Sequence, residues 1–148
     1  MKLMYWNTKG FTEFNLYKEL LDKYAPDILF TSETNNDLTS NFQNSFLEIG
    51  YIYQENPGCE RVKIFIQKQL SFELGIQNKF YTSIIINDIT IISVHFPSQM
   101  YNHQESLRDY IRQFREKIDR YVGNSSKKSI IIIGDLNVNP FEPSMINF

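Results

Sequence analysis

The fold is decided by residues 130–137, which read IIIIGDLN. Four consecutive isoleucines predict a strand that is apolar on both faces and therefore lies in the centre of a sheet. The strand ends at Gly134, and the polar residues Asp135 and Asn137 follow directly. Functional side chains collect where strands end, because the sheet fixes the backbone while the loop leaves side chains exposed. The end of this strand is therefore a candidate functional edge.

Strand and helix patterns alternate at the N-terminus. Residues 2–6 form a short apolar run that predicts a buried strand, and residues 28–30 predict a second one. Between them, residues 14–24 carry apolar side chains at helical spacing, which predicts an amphipathic helix with Thr12 as its N-cap and Pro26 as its stop. Strand, helix and strand in this order predict a parallel βαβ unit.

The middle of the chain has the pattern of antiparallel hairpins. Residues 49–54 and 61–67 flank an Asn-Pro-Gly turn, and the second of these segments alternates apolar and other side chains. Residues 81–86 and 89–94 flank an Asn-Asp pair, which is the short turn that two antiparallel strands need. Two hairpins are therefore predicted.

A second amphipathic helix is predicted over residues 104–122, with Asn102 as its cap and Gly123 as its stop. Its apolar side chains lie on one face. We therefore expect its aromatic residues to belong to the core rather than to stack on nucleic-acid bases: Tyr110, Phe114 and Tyr121.

Composition excludes several classes of protein. The chain has 148 residues, and 15 Lys+Arg against 17 Asp+Glu give a net charge of −2, which excludes a basic nucleic-acid tail or a polybasic membrane anchor. With 42% hydrophobic and 22% charged residues, a folded globular protein is expected. No repeat or linker divides it, so residues 1–148 are predicted to belong to a single domain.

Neither a membrane span nor a secretion signal is expected. The longest apolar run, residues 130–133, is far shorter than the roughly 20 residues that cross a bilayer, and residues 1–6 run directly into a strand pattern. A soluble, cytoplasmic protein is therefore predicted. The single cysteine, Cys59, cannot form an internal disulfide or a thiolate metal site, and we expect it to be inert.

Polar side chains follow four of the predicted strands. They comprise two carboxylates, two carboxamides and an imidazole: Asn7, Glu33, His95, Asp135 and Asn137. The carboxylates are hard oxygen donors, which suit Mg²⁺ better than a soft metal. Together with hydrogen-bond donors and one group that titrates near neutrality, they suit reaction at a phosphate ester better than an acyl transfer. The nucleophile elbow G-x-S-x-G, the P-loop and the dinucleotide motif G-x-G-x-x-G are absent from the sequence.

Four segments that contain these residues resemble successive motifs of the endonuclease/exonuclease/phosphatase superfamily, in order and in spacing. They are residues 5–7 (YWN), 27–33 (DILFTSE), 93–98 (SVHFPS) and 132–137 (IIGDLN). The resemblance implies an α/β fold, the DNase I-like two-sheet α/β sandwich, and a metal-dependent phosphoester hydrolase. The run NVNPFEP at residues 137–143 resembles uncharacterised bacterial members more than any named branch.

The resemblance also implies a role for each residue. Glu33 is the main ligand of Mg²⁺, with Mn²⁺ as the alternative, and Asn7 lies beside it as a second ligand, as an orienting group or as a phosphate contact. Asp135 orients or deprotonates the attacking water, and Asn137 donates to the phosphate oxygens. His95 donates to the phosphate or protonates the leaving oxygen. An exposed strand-end glutamate, a turn-forming asparagine and a hydrogen-bonded histidine are the structural alternatives.

Two cationic residues of the first hairpin, Arg61 and Lys63, face the phosphate or lie on a solvated strand face, and we expect the solvated face. His103, at a helix start, needs no role beyond solvation.

The two later motifs that close the site in this superfamily cannot be placed in the sequence. The resemblance therefore covers all of this chain but only the first half or more of the family domain, so we expect missing C-terminal strands and helices and a crippled activity. Nucleic acid, a nucleotide or a small phosphodiester remain open as substrates. A second hypothesis is a non-catalytic binding or assembly module whose open sheet edge pairs with a second copy or with a C-terminal half.

Overall fold

The computed structural model describes residues 1–98, 104–123 and 129–138. These residues form eight strands and three helices. In chain order they are β1 (Leu3–Asn7), α1 (Phe14–Tyr24), β2 (Ile28–Ser32), α2 (Asn36–Glu48), β3 (Tyr51–Gln54), β4 (Val62–Gln67), β5 (Glu73–Asn78), β6 (Tyr81–Ile86), β7 (Ile89–His95), α3 (Gln104–Gly123) and β8 (Ser129–Asp135).

The strands form two four-stranded sheets, with the orders β1-β2-β4-β3 and β5-β6-β7-β8. β1 pairs with β2 in parallel, and β7 pairs with β8 in parallel. The other neighbours are antiparallel. The predicted parallel unit at the N-terminus and both predicted hairpins are confirmed.

Three apolar clusters hold the layers together. One lies between the sheets and includes Ile64 of the first sheet and Ile84 of the second. A second lies under α1 and α2, where the rings of Phe46 and Phe65 have centroids 4.5 Å apart. The third packs α3 on the outer face of the second sheet through Phe114, which is buried. The architecture is therefore a two-sheet α/β sandwich with helices outside, as the resemblance implies.

The two predicted amphipathic helices are present, with one different cap. The N-cap of α1 is Glu13, in extended conformation, so the prediction of Thr12 is wrong. No side-chain hydrogen bond caps this end within the described part of the chain. At the other end, Ala25 has φ 41° and its N–H donates to the carbonyl of Leu21, directly before Pro26.

The long helix α3 spans Gln104–Gly123, close to its predicted bounds. Phe114 is buried, Tyr110 packs against the same cluster and the Tyr121 hydroxyl lies 3.0 Å from Thr90 Oγ1. The predicted cap Asn102 and His103 lie outside the described residues.

The helix α2 and the strand β5 are not anticipated by the sequence patterns. α2 reads NDLTSNFQNSFLE, in which asparagine and serine are weak helix formers. Its stability comes from tertiary packing of Leu38, Phe42 and Phe46 on the first sheet. β5 contains Gly75 and a register shift between Leu74 and Gln77, which interrupt its strand pattern.

β8 differs from the prediction of a central strand. It lies at the end of the second sheet, with β7 as its partner among the described residues. Ile133 packs against the core between the sheets and Ile130 against the α3 cluster, while Ile131 and Ile132 are 36% and 38% exposed. Apolar residues on both faces indicate that both faces are covered, but they do not specify strands on both sides. Self-association and pairing with a C-terminal half stay predictions.

In the described part of the chain, the helices lack the length and apolar character that crossing a bilayer requires. Cys59 is buried, and burial raises the pKa of its thiol.

Candidate active site

One cleft gathers the ends of four strands. Asn7 pairs with Ser32 at the end of β1 and β2, and His95 pairs with Asp135 at the end of β7 and β8. The cleft has a volume of about 470 Å³ and its walls include all five residues that the sequence singles out. Its lining residues are Asn7, Glu33, Arg61, His95, Pro97, Ser98, Asp135 and Asn137.

Glu33 lies at the turn between β2 and α2. Its backbone has φ 54°, a left-handed conformation that is uncommon for a glutamate. Thr8 holds this turn from β1: its buried hydroxyl lies within hydrogen-bond distance of the Ser32 carbonyl, at 3.1 Å, and of the Glu33 carbonyl, at 3.0 Å. The Gly10 N–H also donates to the Glu33 carbonyl, at 2.9 Å. These contacts fix the backbone while leaving the Glu33 side chain 46% exposed in the cleft.

Asn7 orients the Glu33 carboxylate. Its Nδ2 donates to Glu33 Oε1 at 3.1 Å, and its Oδ1 accepts from the backbone N–H of Lys9 at 3.0 Å. The second contact fixes which end of the amide faces the carboxylate. One lone pair of the amide oxygen remains, so the expectation that Asn7 also binds metal stays a prediction.

His95 reaches the same carboxylate from the other sheet. Its Nε2 lies 3.3 Å from Glu33 Oε1, and its side chain is 5% exposed. The approach lacks hydrogen-bond geometry, and neither ring nitrogen has a hydrogen-bond partner among the residues that the structure describes. Burial lowers the pKa of His95 below 6.5, and the nearby Glu33 carboxylate opposes this shift. The imidazole is therefore mainly neutral at pH 7, with polar atoms available to a ligand.

Asp135 is the last residue of β8, and Asn137 lies in the turn that follows it. Gly134 has φ 147°, and a Cβ added there would lie 2.0 Å from the Val94 carbonyl oxygen, so a side chain does not fit. The Asn137 N–H donates to Asp135 Oδ1 at 2.9 Å, and Asn137 Nδ2 donates to the carbonyl of Phe96 at 2.7 Å. Both side chains are thus fixed beside the cleft, and the second proton of Asn137 Nδ2 is free of these contacts.

Tyr5 is a neighbour of the site to which the sequence motifs assign no role. Its hydroxyl lies 2.7 Å from Ser32 Oγ. Burial raises the pKa of Tyr5 to about 12, and the charges of Asp135 and Glu33 act in the same direction. The phenol is therefore neutral and supports the site from β1. Its place two residues before Asn7 in the YWN motif is the signal that points to it.

The two cationic residues of the first hairpin do not lie on the solvated strand face that the sequence predicts. Arg61 is partly buried, lines the cleft and has its guanidinium carbon 5.3 Å from the centroid of the Phe80 ring. Lys63 is 8% exposed and lies outside this cleft, so the expectation is wrong for Lys63. Its strand face is covered by α2, which the sequence patterns do not predict.

The cleft fits a hard cation with few protein ligands. Within the described residues, no three or more His, Cys, Asp or Glu side chains cluster as a ready-made metal centre. The carboxylate of Glu33 is exposed to the cleft, and Asp135 lines the same cleft. One or two carboxylates with water and substrate phosphates is the donor set typical of Mg²⁺.

A family model described as "Endonuclease/Exonuclease/phosphatase family" matches residues 4–148. None of the curated proteins compared with the sequence matches it. Among solved structures, a family protein from Bacteroides thetaiotaomicron superposes with a TM-score of 0.69 at 12% identity, covering 98% of this chain and 66% of that one.

Two further structures have the same fold. An AP endonuclease from Archaeoglobus fulgidus has a TM-score of 0.61 and 23% identity, and covers 97% of this chain and 59% of its own. A TDP2 from D. rerio, complexed with a single-strand DNA product, has a TM-score of 0.63 and 15% identity, and covers 99% of this chain and 64% of its own. The chain thus spans less than two thirds of the length of these three proteins.

Proposed function

Because this chain belongs to the endonuclease/exonuclease/phosphatase family, we propose that it hydrolyses phosphoesters in the cleft at the ends of β1, β2, β7 and β8. The observation that carries the proposal is the convergence of both sheets on one carboxylate. Asn7 contacts Glu33 Oε1 from the first sheet at 3.1 Å, and His95 approaches the same oxygen from the second at 3.3 Å. Side chains from separate layers converge in this way where a ligand has to be positioned.

Glu33 would hold the divalent cation, Mg²⁺ or alternatively Mn²⁺, with Asn7 keeping the carboxylate in place. A bound cation would neutralise negative charge on the phosphate oxygens. The exposure of Glu33 and its fixed orientation support this role, since the cation needs an accessible oxygen that does not rotate away.

Asp135 would orient and deprotonate the attacking water. One of its oxygens, Oδ1, accepts from the Asn137 N–H, which leaves Oδ2 for the water. The proton of the water would move to this carboxylate as the water oxygen bonds to phosphorus and the ester P–O bond breaks, and the leaving oxygen would take a proton from solvent. The adjacent phenol of Tyr5 stays neutral and adds no second negative charge.

The phosphate group itself would be bound by neutral donors and one cation. Asn137 Nδ2 would donate its second proton to a non-bridging oxygen of the phosphate. An N–H of the buried His95 ring would donate to another. The Arg61 guanidinium, on the cleft wall, adds a positive charge. Nucleic acid, nucleotides and small phosphodiesters all present the oxygens that this set recognises.

The experiment compares hydrolysis of a small chromogenic phosphodiester and of single-stranded DNA by the full-length protein, with and without Mg²⁺. Glu33→Ala and Asp135→Ala should each lower kcat by about 100-fold or more. The control Glu48→Ala removes an exposed carboxylate at the end of α2 and should keep full activity. Mg²⁺-dependent hydrolysis that survives both Glu33→Ala and Asp135→Ala would refute the proposal.

A further inference from the structure

Four hydroxyl groups meet behind the turn that carries Glu33. They form the hydroxyl cluster, which consists of Thr8, Tyr17, Thr31 and Thr34. Thr8, Tyr17 and Thr31 are fully buried. Thr31 lies on the face of β2 that carries Leu29, which packs under α1 and α2. The cluster therefore lies on the helix side of the first sheet, and the described walls of the candidate active site include none of its four residues.

The hydrogen bonds of the hydroxyl cluster connect helix α1 to the turn. The Tyr17 hydroxyl donates to Thr34 Oγ1 at 3.4 Å, and the Thr34 hydroxyl donates to Thr31 Oγ1 at 2.7 Å. Burial raises the pKa of Tyr17, so its hydroxyl keeps the proton that it donates. The distance from Thr34 to Thr31 is that of a well-formed O–H···O hydrogen bond. This bond closes a loop from residue 31 to residue 34, and Glu33 lies inside the loop.

The backbone of Glu33 needs support from such contacts. Its φ of 54° is left-handed, which costs a residue with a side chain about 1–2 kcal/mol. A conformation of this kind persists only where the surrounding contacts determine it. The Glu33 carbonyl accepts from the Gly10 N–H at 2.9 Å and from the Thr8 hydroxyl at 3.0 Å. These contacts hold the peptide group that follows Glu33, and the bond from Thr34 to Thr31 holds the next residue of the turn.

The direction of the Glu33 carboxylate depends on this backbone. The carboxylate is 46% exposed in the cleft, and Asn7 Nδ2 donates to it at 3.1 Å. A turn that relaxed to a right-handed conformation would redirect the bond from Cα to Cβ. The carboxylate would then move away from both Asn7 and His95.

We propose that Thr34 is a positioning residue for Glu33: its hydroxyl, bonded to Thr31 and Tyr17, holds the turn in the conformation that directs the Glu33 carboxylate into the cleft. The inference rests on the proposed function, in which Glu33 holds the divalent cation. The cation affinity of the cleft then depends on a hydroxyl group that does not line the cleft.

The first test measures cation binding without substrate. Mn²⁺ is titrated into the full-length protein, and free Mn²⁺ is followed by electron paramagnetic resonance. Thr34→Val keeps the branched shape of the side chain but removes the hydroxyl. It should weaken Mn²⁺ binding by about tenfold, as is typical when a partner of a metal ligand is lost. Thr34→Ser keeps the hydroxyl and should bind Mn²⁺ as tightly as the unchanged protein does.

Thr39→Val is the matched control for lost stability. It also removes a threonine hydroxyl, which donates to the Asn36 carbonyl at 2.9 Å from a buried residue of α2. Both valine variants should unfold at a lower urea concentration than the unchanged protein, but only Thr34→Val should lose Mn²⁺ affinity. If Thr34→Val binds Mn²⁺ as tightly as Thr39→Val does, or if Thr34→Ser binds it as weakly as Thr34→Val does, the role of Thr34 is structural and the proposal is wrong.

The second test removes the other end of the hydrogen bond. Thr31→Val should also weaken Mn²⁺ binding by about tenfold. Thr31 lies within β2, where valine is a favoured residue, so this variant gives an answer even if Thr34→Val does not fold. Because both variants break the same bond, the double variant should bind Mn²⁺ no more weakly than either single variant. Two independent losses would multiply to about 100-fold, and that result would contradict the proposal.

Failure of this inference is distinguishable from failure of the proposed function. If the full-length protein hydrolyses a small phosphodiester with Mg²⁺ but Thr34→Val keeps its Mn²⁺ affinity, the function stands and the role of Thr34 is refuted. A protein that neither binds Mn²⁺ nor hydrolyses a phosphodiester refutes the function, and the inference with it.

Discussion

His95 Nε2 lies 3.3 Å from Glu33 Oε1, although the two residues belong to different sheets. The contact joins the end of β7 to the turn after β2 at the centre of the cleft. The contact brings a buried imidazole and an exposed carboxylate together in the same cleft. The geometry of the cleft therefore depends on how firmly Glu33 is held.

Asn7→Ala should weaken the binding of Mg²⁺ more than it lowers the stability of the fold. The change removes the 3.1 Å hydrogen bond that orients Glu33, while the backbone contacts of the turn remain. We expect the Mg²⁺ concentration for half-maximal activity to rise by about tenfold, as is typical when a partner of a metal ligand is lost. The measurement is activity against Mg²⁺ concentration. Asn44→Ala, at an exposed position of α2, is the matched control and should change nothing.

Thr8→Val should reduce both stability and activity. Valine has nearly the same shape, but it removes the hydrogen bond of the threonine hydroxyl to the carbonyl groups of Ser32 and Glu33, which keep the N–H groups of Thr8 and Gly10 as donors. A hydrogen bond contributes about 0.5–1.5 kcal/mol, so the free energy of unfolding should fall by that amount. Urea denaturation measures it, and Thr12→Val, at an exposed position, is the control. Unchanged stability of Thr8→Val would show that water replaces the hydroxyl.

The sequence predicts the part of the fold that depends on local pattern. Apolar runs that end in polar residues identify β1, β2, β7 and β8, and the carboxyl ends of parallel strands lie at one edge. For this reason the sequence pattern by itself predicts that the five polar residues at those ends meet.

The unpredicted parts depend on tertiary contacts. The polar sequence of α2 has weak helix propensity, and the helix is stabilised through Phe46 against Phe65. Without α2, the face of β4 that carries Lys63 looks solvated, and the expectation for Lys63 fails for this reason. The position of Arg61 depends on how the two sheets are placed, which no local pattern encodes.

Tyr17 should make the protein less stable in alkali. Burial raises the pKa of this fully buried tyrosine above its ordinary value of 10. The unfolded chain therefore loses the proton first, so the stabilisation is complete below pH 10 and is lost as the pH rises through the folded pKa. Urea denaturation between pH 8 and 11 should show a smaller decline for Tyr17→Phe than for the unchanged protein. Tyr24→Phe, at an exposed position, should show the full decline, and equal declines in both variants would contradict this assignment.

Gly134→Ala should be the most damaging small substitution in the described fold. The new Cβ would lie 2.0 Å from the Val94 carbonyl oxygen, and the backbone at φ 147° is unfavourable for alanine. Strain and overpacking together should lower the free energy of unfolding by about 3–5 kcal/mol. Gly50→Ala is a matched control, because Gly50 also has a positive φ, 91°, but has no atom within 4 Å of the added Cβ among the described residues. The control should lose only about 1–2 kcal/mol. Because Gly134 directly precedes Asp135 at the end of β8, its replacement should also displace that carboxylate and lower kcat in the protein that remains folded. Denaturation combined with activity per folded molecule tests both effects, and equal losses of stability in the two variants would show that the Val94 carbonyl moves aside at little cost.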